Sequence, residues 1–477
     1  MFSDNLHNDL KTSLTCERDL PVEIWHHIFF LVCSDEFEEY VGMQGLSNDQ
    51  GTPSLRLSGY YTPFRISHAS RRWRDLATTY PILWSNVLIS ARCRRPDRLL
   101  DAWLTRSGSV LLFLWIDVHQ DHPRLPKCLQ VIRGVNSRWR QISLQLSEGR
   151  WHKLRPYLLQ PEPEETTPGS GRSVQEEYVS LELLEASLNC GVEDDQDDLI
   201  FRFRRSKNLR TLKMGHFRDT IQPSSSDIPY IPYPMNIVQL SSIVNLTLSS
   251  QFLFPLIPFL DMIASLRQLQ GLELRCCTLN KASTPENHRV TIPHLQRLSV
   301  VGWMSHSEVR TLFQCLLLPS LDSITMASAL DTPSFSAMVS VSKCNIRHMS
   351  ITSKQHISEL IILGILMSAP FRQLEELYLD GPSIGNSLIM SLVRADDFGC
   401  GHSLKRITLL GCRSDDGLVA DLAATRVGPG ALEYLCVEVS DALENHRRDL
   451  DAVVRLQKLG PKGVFYSEKT SILLRFV

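Results

Sequence analysis

The stretches LQGLELRCC (Leu269–Cys277) and LEELYLD (Leu374–Asp380) decide the fold. Each reads L-x-x-L-x-L. The alternation in its second half is that of a strand with one buried face. With Ile, Val, Met or Ala allowed at the leucine positions, the pattern begins at Leu209, Ile243, Leu269, Leu295, Leu321, Ile346, Leu374, Leu404 and Leu432. From Ile243 onward the starts fall 25 to 30 residues apart. Weaker copies fit at WRQISL (Trp139) and LELLEA (Leu181). Between copies lie segments that look helical, among them Ser307–Leu318, His356–Met367 and Asp415–Arg426. The repeat also explains why 71 of 477 residues are leucine. Copies at so regular a spacing speak against unrelated β-α crossovers in an open sheet.

This period resembles the leucine-rich repeat, in which each unit supplies a short strand and a helix and cannot bury its own apolar face alone. The resemblance implies an α/β chain: a small N-terminal helical module followed by a solenoid with a curved parallel sheet. Two copies complete the longer form L-x-x-L-x-L-x-x-C and put Cys277 and Cys412 at a buried turn position. Because strand side chains alternate, the x residues face the concave side. The candidates for binding a protein substrate there are Glu273, Arg275, Arg297, His348, Glu376, Tyr378, Asp380, Arg406 and Tyr434. Ser299, Ser323, Thr325, Ser350, Thr408, Cys436 and Glu438 share the same face. Tyr378 and Tyr434 are candidate aromatic anchors.

The N-terminal part reads differently. A helix is predicted over Leu20–Val32, with Pro21 near its first position and Glu23 at its positive end. Its apolar residues form two sets, Leu20, Ile24, Ile28 and Leu31 on one face and Trp25, Phe29 and Val32 on an adjacent one. A second helix is predicted over Phe64–Thr78, followed by the apolar piece Ile82–Trp84. So small a module needs only one apolar stripe for its own core. The surplus face therefore suggests a partner, or docking on an open end of the solenoid.

LPVEIWHHIF followed by ISHASRRWRDLATTYPILWSNV resembles the F-box motif of fungal F-box proteins. Matching positions are Leu20, Pro21, Glu23, Ile24, Ile28, Phe29, Arg72, Trp73, Leu76, Pro81, Leu83 and Trp84, and AWLTRSGSVLLFLWI (Ala102–Ile116) resembles the family's link into its repeats. The stretch Ser34–Thr62 is longer than the family's usual connection, and Ser70 stands where a cysteine is common. The resemblance implies a Skp1-like partner and, through it, cullin in a ubiquitin ligase, with the repeats capturing a substrate. It assigns Leu20, Pro21, Glu23, Ile24, Ile28, Phe29, Trp73, Leu83 and Trp84 to Skp1 binding. It also implies a non-catalytic adaptor without a cofactor. The competing reading from the residues is a stand-alone repeat scaffold that binds protein without ubiquitin transfer.

The resulting organisation is a tail at 1–17, the module at 18–92 with an inserted loop at 34–62, a linker with irregular first repeats at 93–204, the solenoid at 205–440 and a C-terminal cap at 441–477. Further loops are expected at 160–177, 193–198 and 222–234, where Pro, Ser, Gly and acidic residues concentrate. Lys+Arg of 50 against Asp+Glu of 52 argues against a nucleic-acid or anionic-membrane binder. No apolar run approaches a membrane span. Twelve cysteines without any C-x-x-C, and an opening MFSDNLHNDLK without an apolar core, suggest free thiols in the cytoplasm or nucleus.

Catalytic and metal signals are weaker. Gly381–Gly385 spells G-x-S-x-G after a strand, and Ser383 with Asp415 or Asp416 and His446 has the chain order of a hydrolase triad. The strand belongs to the repeat, however, where a small-residue turn is expected anyway, and no HGGG-type loop lies upstream. His26 and His27, and His119 and His122 around Asp121, lack further ligands for a metal. Cys276–Cys277 reads as a structural thiol pair. The arginines at 92, 94, 95 and 98, and the run Arg202–Arg210, read as solvated faces. No P-loop or dinucleotide fingerprint occurs.

Overall fold

A computed structural model of the chain describes residues 20–46, 62–91, 93–118, 120–146, 150–158, 178–188, 203, 206–215, 240–249, 253–280, 288–302, 304–327, 330–352, 358–381, 384–394, 403–427, 432–439, 446–449, 451–452, 464–468 and 471–475. The tail, the three expected loops and much of the insert after residue 46 lie outside them. Contacts divide the chain into two units that change over near residue 210.

The first unit opens with helix α1 (Val22–Leu46), α2 (Thr62–Ala69), α3 (Arg71–Thr78) and a 3-10 turn over Pro81–Trp84. Then come β1 (Asn86–Ser90), α4 (Pro96–Ser107), β2 (Leu112–Val118), α5 (Leu125–Arg133), β3 (Trp139–Leu146), α6 (Arg150–Leu158) and β4 (Leu183–Leu188). The four strands pair in sequence order and in parallel. The weak copies at Trp139 and Leu181 are therefore strands, and two more precede them.

Two helix expectations are corrected. The first helix begins at Val22, with the Pro21 carbonyl accepting from the Ile24 and Trp25 amides at 3.1 and 3.3 Å, and runs on to Leu46 rather than ending at Val32. Residues 34–46 read as loop because the stretch that holds them is rich in Gly and Ser and partly acidic, yet they hold no proline and several good helix formers. The stretch Phe64–Thr78 is two helices, not one. Ser70 breaks it with extended dihedrals (φ −151°, ψ 166°), and its Oγ caps α3 by accepting from the Trp73 amide.

The second unit carries one strand per repeat: β5 (Thr211–Gly215), β6 (Asn245–Ser249), β7 (Gly271–Arg275), β8 (Arg297–Val301), β9 (Ser323–Ala327), β10 (His348–Thr352), β11 (Glu376–Asp380), β12 (Arg406–Cys412) and β13 (Tyr434–Val439). All nine run parallel in sequence order. Leu272, Leu298, Ile324, Met349, Leu377, Ile407 and Leu435 form one buried row across β7 to β13. Leu274, Val300, Met326, Ile351, Leu379, Leu409 and Val437 form the next. No member of either row is more than 3% exposed, so the leucine positions are the core and this is the leucine-rich-repeat arrangement.

Helices return between the strands, including His306–Cys315, Thr332–Ser342, Glu359–Leu366 and Leu418–Val427. The first is shorter than the predicted Ser307–Leu318. Pro319 disfavours helix just before it, and Leu316–Leu317 instead pair in parallel with Val290–Thr291. A capping box between Ser305 and Glu308 fixes its start. Cys277 and Cys412 are fully buried, as the repeat requires. The Cys277 thiol donates to the Leu248 carbonyl at 3.4 Å, and burial pushes the Cys412 thiol up to about 12. In the region expected to be a cap, a hairpin of β14 (Val464–Glu468) and β15 (Ser471–Arg475) adds antiparallel to β13 and covers that sheet edge.

Candidate functional site

In the first unit, α1 divides its apolar residues as the periodicity predicts with one exception: Val32, grouped with Trp25 and Phe29, stays exposed. Trp25 (8% exposed) and Phe29 (2%) turn inward. Trp73 of α3 packs on both, with ring centroids 5.4 and 5.3 Å away. Leu20, Val22, Ile24, Ile28, Phe30, Leu31, Val32 and Ile82 remain 37% to 45% exposed. All but Ile82 sit within residues 20–32, and a monomer gains nothing from so many exposed apolar side chains on one short segment.

Three residues assigned to Skp1 contact are interior instead. Phe29, Leu83 and Trp84 are 2%, 3% and 0% exposed, and Trp73 is half-buried. The Phe29, Trp73 and Trp84 rings and the Leu83 side chain form the module's own core, the only place where such small helices can bury an aromatic. Leu20, Pro21, Glu23, Ile24 and Ile28 are exposed. The module also packs directly onto α4. Trp84 meets Phe64 and the Trp103 ring of α4 at 5.0 and 6.0 Å, and the Arg106 guanidinium lies 4.3 Å over the Trp84 ring. Burial lowers the Arg106 pKa.

In the second unit the x residues align across the open face of the sheet. Arg297, Ser323, His348, Glu376, Arg406 and Tyr434 form one row, and Ser299, Thr325, Ser350, Tyr378, Thr408 and Cys436 the next. Most of these line a groove of about 610 Å³, together with Gln296 and Asp322. Six of the nine predicted substrate residues lie in it: Arg297, His348, Glu376, Tyr378, Arg406 and Tyr434. Glu273, Arg275 and Asp380 share the face outside the groove lining. After Leu409 the register shifts, and Gly411 takes φ +73°, a conformation that favours glycine.

Charges in the groove are mostly paired. Glu376 meets His348 Nδ1 at 3.2 Å and Arg406 Nη1 at 3.5 Å, and Arg406 Nε lies 3.9 Å from Glu433. Arg275 bonds Glu273 at 2.7 Å. Beside the groove Lys405 bonds Glu375 at 2.7 Å and holds the Glu375 carboxyl below its usual range. Burial, then the Asp380 charge, raises the Tyr378 phenol. The Gln296 and Asp322 positions escaped the alternation argument, because each follows the leading leucine of its repeat, ahead of the alternating x-L-x-L-x run.

Ser383 lies outside the described residues. Its expected partners are engaged elsewhere. Asp415 Oδ2 accepts from Asn386 at 2.7 Å, and Asp416 Oδ1 accepts from the Arg448 and Asp449 amides at 2.8 and 3.2 Å. His446 pairs through Nδ1 with Asp449, 3.0 Å away, an acid the triad pattern did not anticipate. Asp449 in turn accepts from the Ala420 amide at 2.8 Å and caps the helix beginning at Leu418. Asp416, His446 and Asp449 form the one cluster among the described residues with metal-ligand spacing, and these capping bonds account for it. His26 stacks on Tyr80 at 4.1 Å. Of the basic stretches, residues 92, 202, 204 and 205 lie outside the described residues, as does His119. Among the described residues no helix is long and apolar enough to cross a membrane.

No family model and no curated protein matches the chain. Solved structures do align with it. A Bacteroides fragilis protein solved as a structural-genomics target is 16% identical, with a TM-score of 0.33 over 57% of this chain and 68% of that one. A leucine-rich-repeat protein of Leptospira interrogans is 14% identical, with a TM-score of 0.30 over 65% and 74%. An internalin of Listeria monocytogenes is 11% identical, with a TM-score of 0.29 over 56% and 77%. The fold assignment rests on the strand register itself.

Proposed function

We propose that the chain is the substrate receptor of a Skp1–cullin–F-box ubiquitin ligase. The observation that carries this reading is the face of α1. Leu20, Ile24, Ile28 and Leu31 stay exposed while Trp25 and Phe29 fill the module's core. A row of exposed aliphatic side chains at helical spacing is the surface a protein partner covers, and three of its residues, Leu20, Ile24 and Ile28, are F-box positions in the motif. Skp1 is the partner, and the groove over β8 to β13 takes the substrate. The chain itself does no covalent chemistry. It raises the substrate's effective concentration near the ubiquitin-loaded enzyme. The described cysteines are free thiols, which fits work in the cytoplasm or nucleus.

Co-purification of Skp1 and cullin with the full chain tests the reading. Recovery of both is expected. Without Skp1, the groove supports the second reading, a repeat scaffold that binds protein and transfers nothing.

A further inference from the structure

The cations of the groove face are not equivalent. Arg406 and Arg275 each have a carboxylate partner. Arg297 is exposed, and among the described residues it pairs with no carboxylate. It is nevertheless held in place. Its Nη2 donates to Asn245 Oδ1 at 2.8 Å, and Asn245 Nδ2 donates onward to Thr211 Oγ1 at 3.4 Å.

The reach to Asn245 crosses a whole strand, because the register runs Asn245, Gly271, Arg297. Gly271 makes it possible. A Cβ there would stand 2.6 Å from Asn245 Oδ1 and 3.5 Å from Arg297 Nε and Nη2. The guanidinium thus lies over a strand position without a side chain, fixed by a neutral amide. On the same face Ser323 stands across the strand pair from it and Ser299 two residues on, with Glu273 diagonal to it.

A fixed cation with spare N–H donors and no carboxylate bonded to it is an anion receptor. We propose that the groove recognises an extended peptide segment by seating one of its carboxylate side chains on Arg297. This rests on the reading that the repeats bind a protein. A single carboxylate fits better than a phosphate dianion, because Asp322 lines the same groove and Glu273 stands on the neighbouring strand in register with Ser299. The span sets the length. Arg297 on β8 and Tyr434 on β13 are five strand steps apart, roughly 24 Å at ~4.8 Å per step, which about seven extended residues cover. The acidic residue therefore sits at one end of the segment. Tyr378 and Tyr434 line the groove toward the other.

The test uses the full chain and three seven-residue peptide pools, randomised at six positions, with the first position fixed as Glu, Gln or phosphoserine. The Glu pool should bind about tenfold tighter than the Gln pool, the worth of one charge-assisted contact. Arg297→Gln should abolish that preference, and Arg297→Lys should restore part of it. Asn245→Ala should weaken it, since the guanidinium is then no longer held. Glu182→Gln, in the first unit where it pairs with Arg140, should leave it intact. Equal binding of the Glu and Gln pools overturns the seat on Arg297 while leaving a peptide groove. A preference that survives Arg297→Gln overturns it too, and a phosphoserine pool bound above the Glu pool overturns the single-carboxylate assignment. Failure of every pool removes the peptide groove along with this inference. Skp1 recovery, measured on the same preparation, reports on the ligase reading independently.

Discussion

Trp84 donates its indole N–H to the Ala77 carbonyl at 2.8 Å, and both residues are fully buried. The bond ties the 3-10 turn after α3 back to the end of that helix. The sequence motif placed Trp84 on a partner surface, whereas the structure makes it the junction between the helical module and α4. Trp84→Phe should destabilise the first unit by about 1–3 kcal/mol, since it orphans a buried carbonyl. Trp84→Ala should cost about 3–5 kcal/mol. Urea unfolding followed by circular dichroism measures both. A loss below about 0.5 kcal/mol for either would return Trp84 to the surface.

In β11, Leu377 is 1% exposed and its neighbour Glu376 faces the groove. Leu377→Ala should destabilise the repeats by about 2–5 kcal/mol. Glu376→Ala should change stability by no more than about 0.5 kcal/mol, because its pairs with His348 and Arg406 are solvent-exposed. Thermal melts of the two variants make the comparison. Equal shifts would contradict the alternation on which the whole face is assigned.

Legibility in the sequence divides along physical lines. The buried rows of β5 to β13 were legible because a period of two inside a period near 26 leaves a repeated signature. The groove row from Arg297 to Tyr434 came at once from side-chain alternation. The seat of Arg297 was not legible, although IVNLTL and LQGLEL place Asn245 and Gly271 at the same repeat position. Seeing it requires knowing that the strands pair without slip and that a missing side chain opens a lateral path. The first helix was cut short at Val32 because a Gly- and Ser-rich, partly acidic stretch was read as loop. Trp84 was misplaced because a motif records which residues recur, not which way they point.

Asp331 does two jobs at the start of the helix Thr332–Ser342. It caps the Ser334 amide at 3.2 Å and accepts two bonds from Arg310 at 3.0 and 2.8 Å. The Arg310 bond, first among several causes, lowers its pKa from 3.8. A carboxyl with a lowered folded pKa adds stability that is complete above the unfolded value and lost as pH falls through the folded one. The stability difference between the parent and Asp331→Asn should therefore be constant near neutral pH and shrink below about pH 4. Melting temperatures across pH 2 to 7 provide the check. A difference that grows on acidification would contradict the assigned role.

The exposed face of α1 gives the sharpest test of the ligase reading, because neighbouring residues on one helix should separate binding from stability. Ile24 and Ile28 are 45% and 38% exposed, whereas Phe29 is 2% exposed against Trp25 and Trp73. If Skp1 covers the exposed face, Ile24→Ala with Ile28→Ala removes anchors from the interface and nothing from the core. Affinity should fall by at least about 2 kcal/mol, roughly thirtyfold. Melting should stay almost unchanged. Phe29→Ala should do the reverse first, costing about 3–5 kcal/mol of stability and weakening Skp1 only as the module unfolds. Leu20→Ala with Pro21→Ala extends the series to the start of the helix, where both residues are exposed. Calorimetric titration with purified Skp1 and melts of the same samples decide the matter. Unchanged Skp1 affinity in the Ile24 and Ile28 double variant would remove this face from the interface. A large drop in its melting temperature would mean that the exposed row packs against the chain itself.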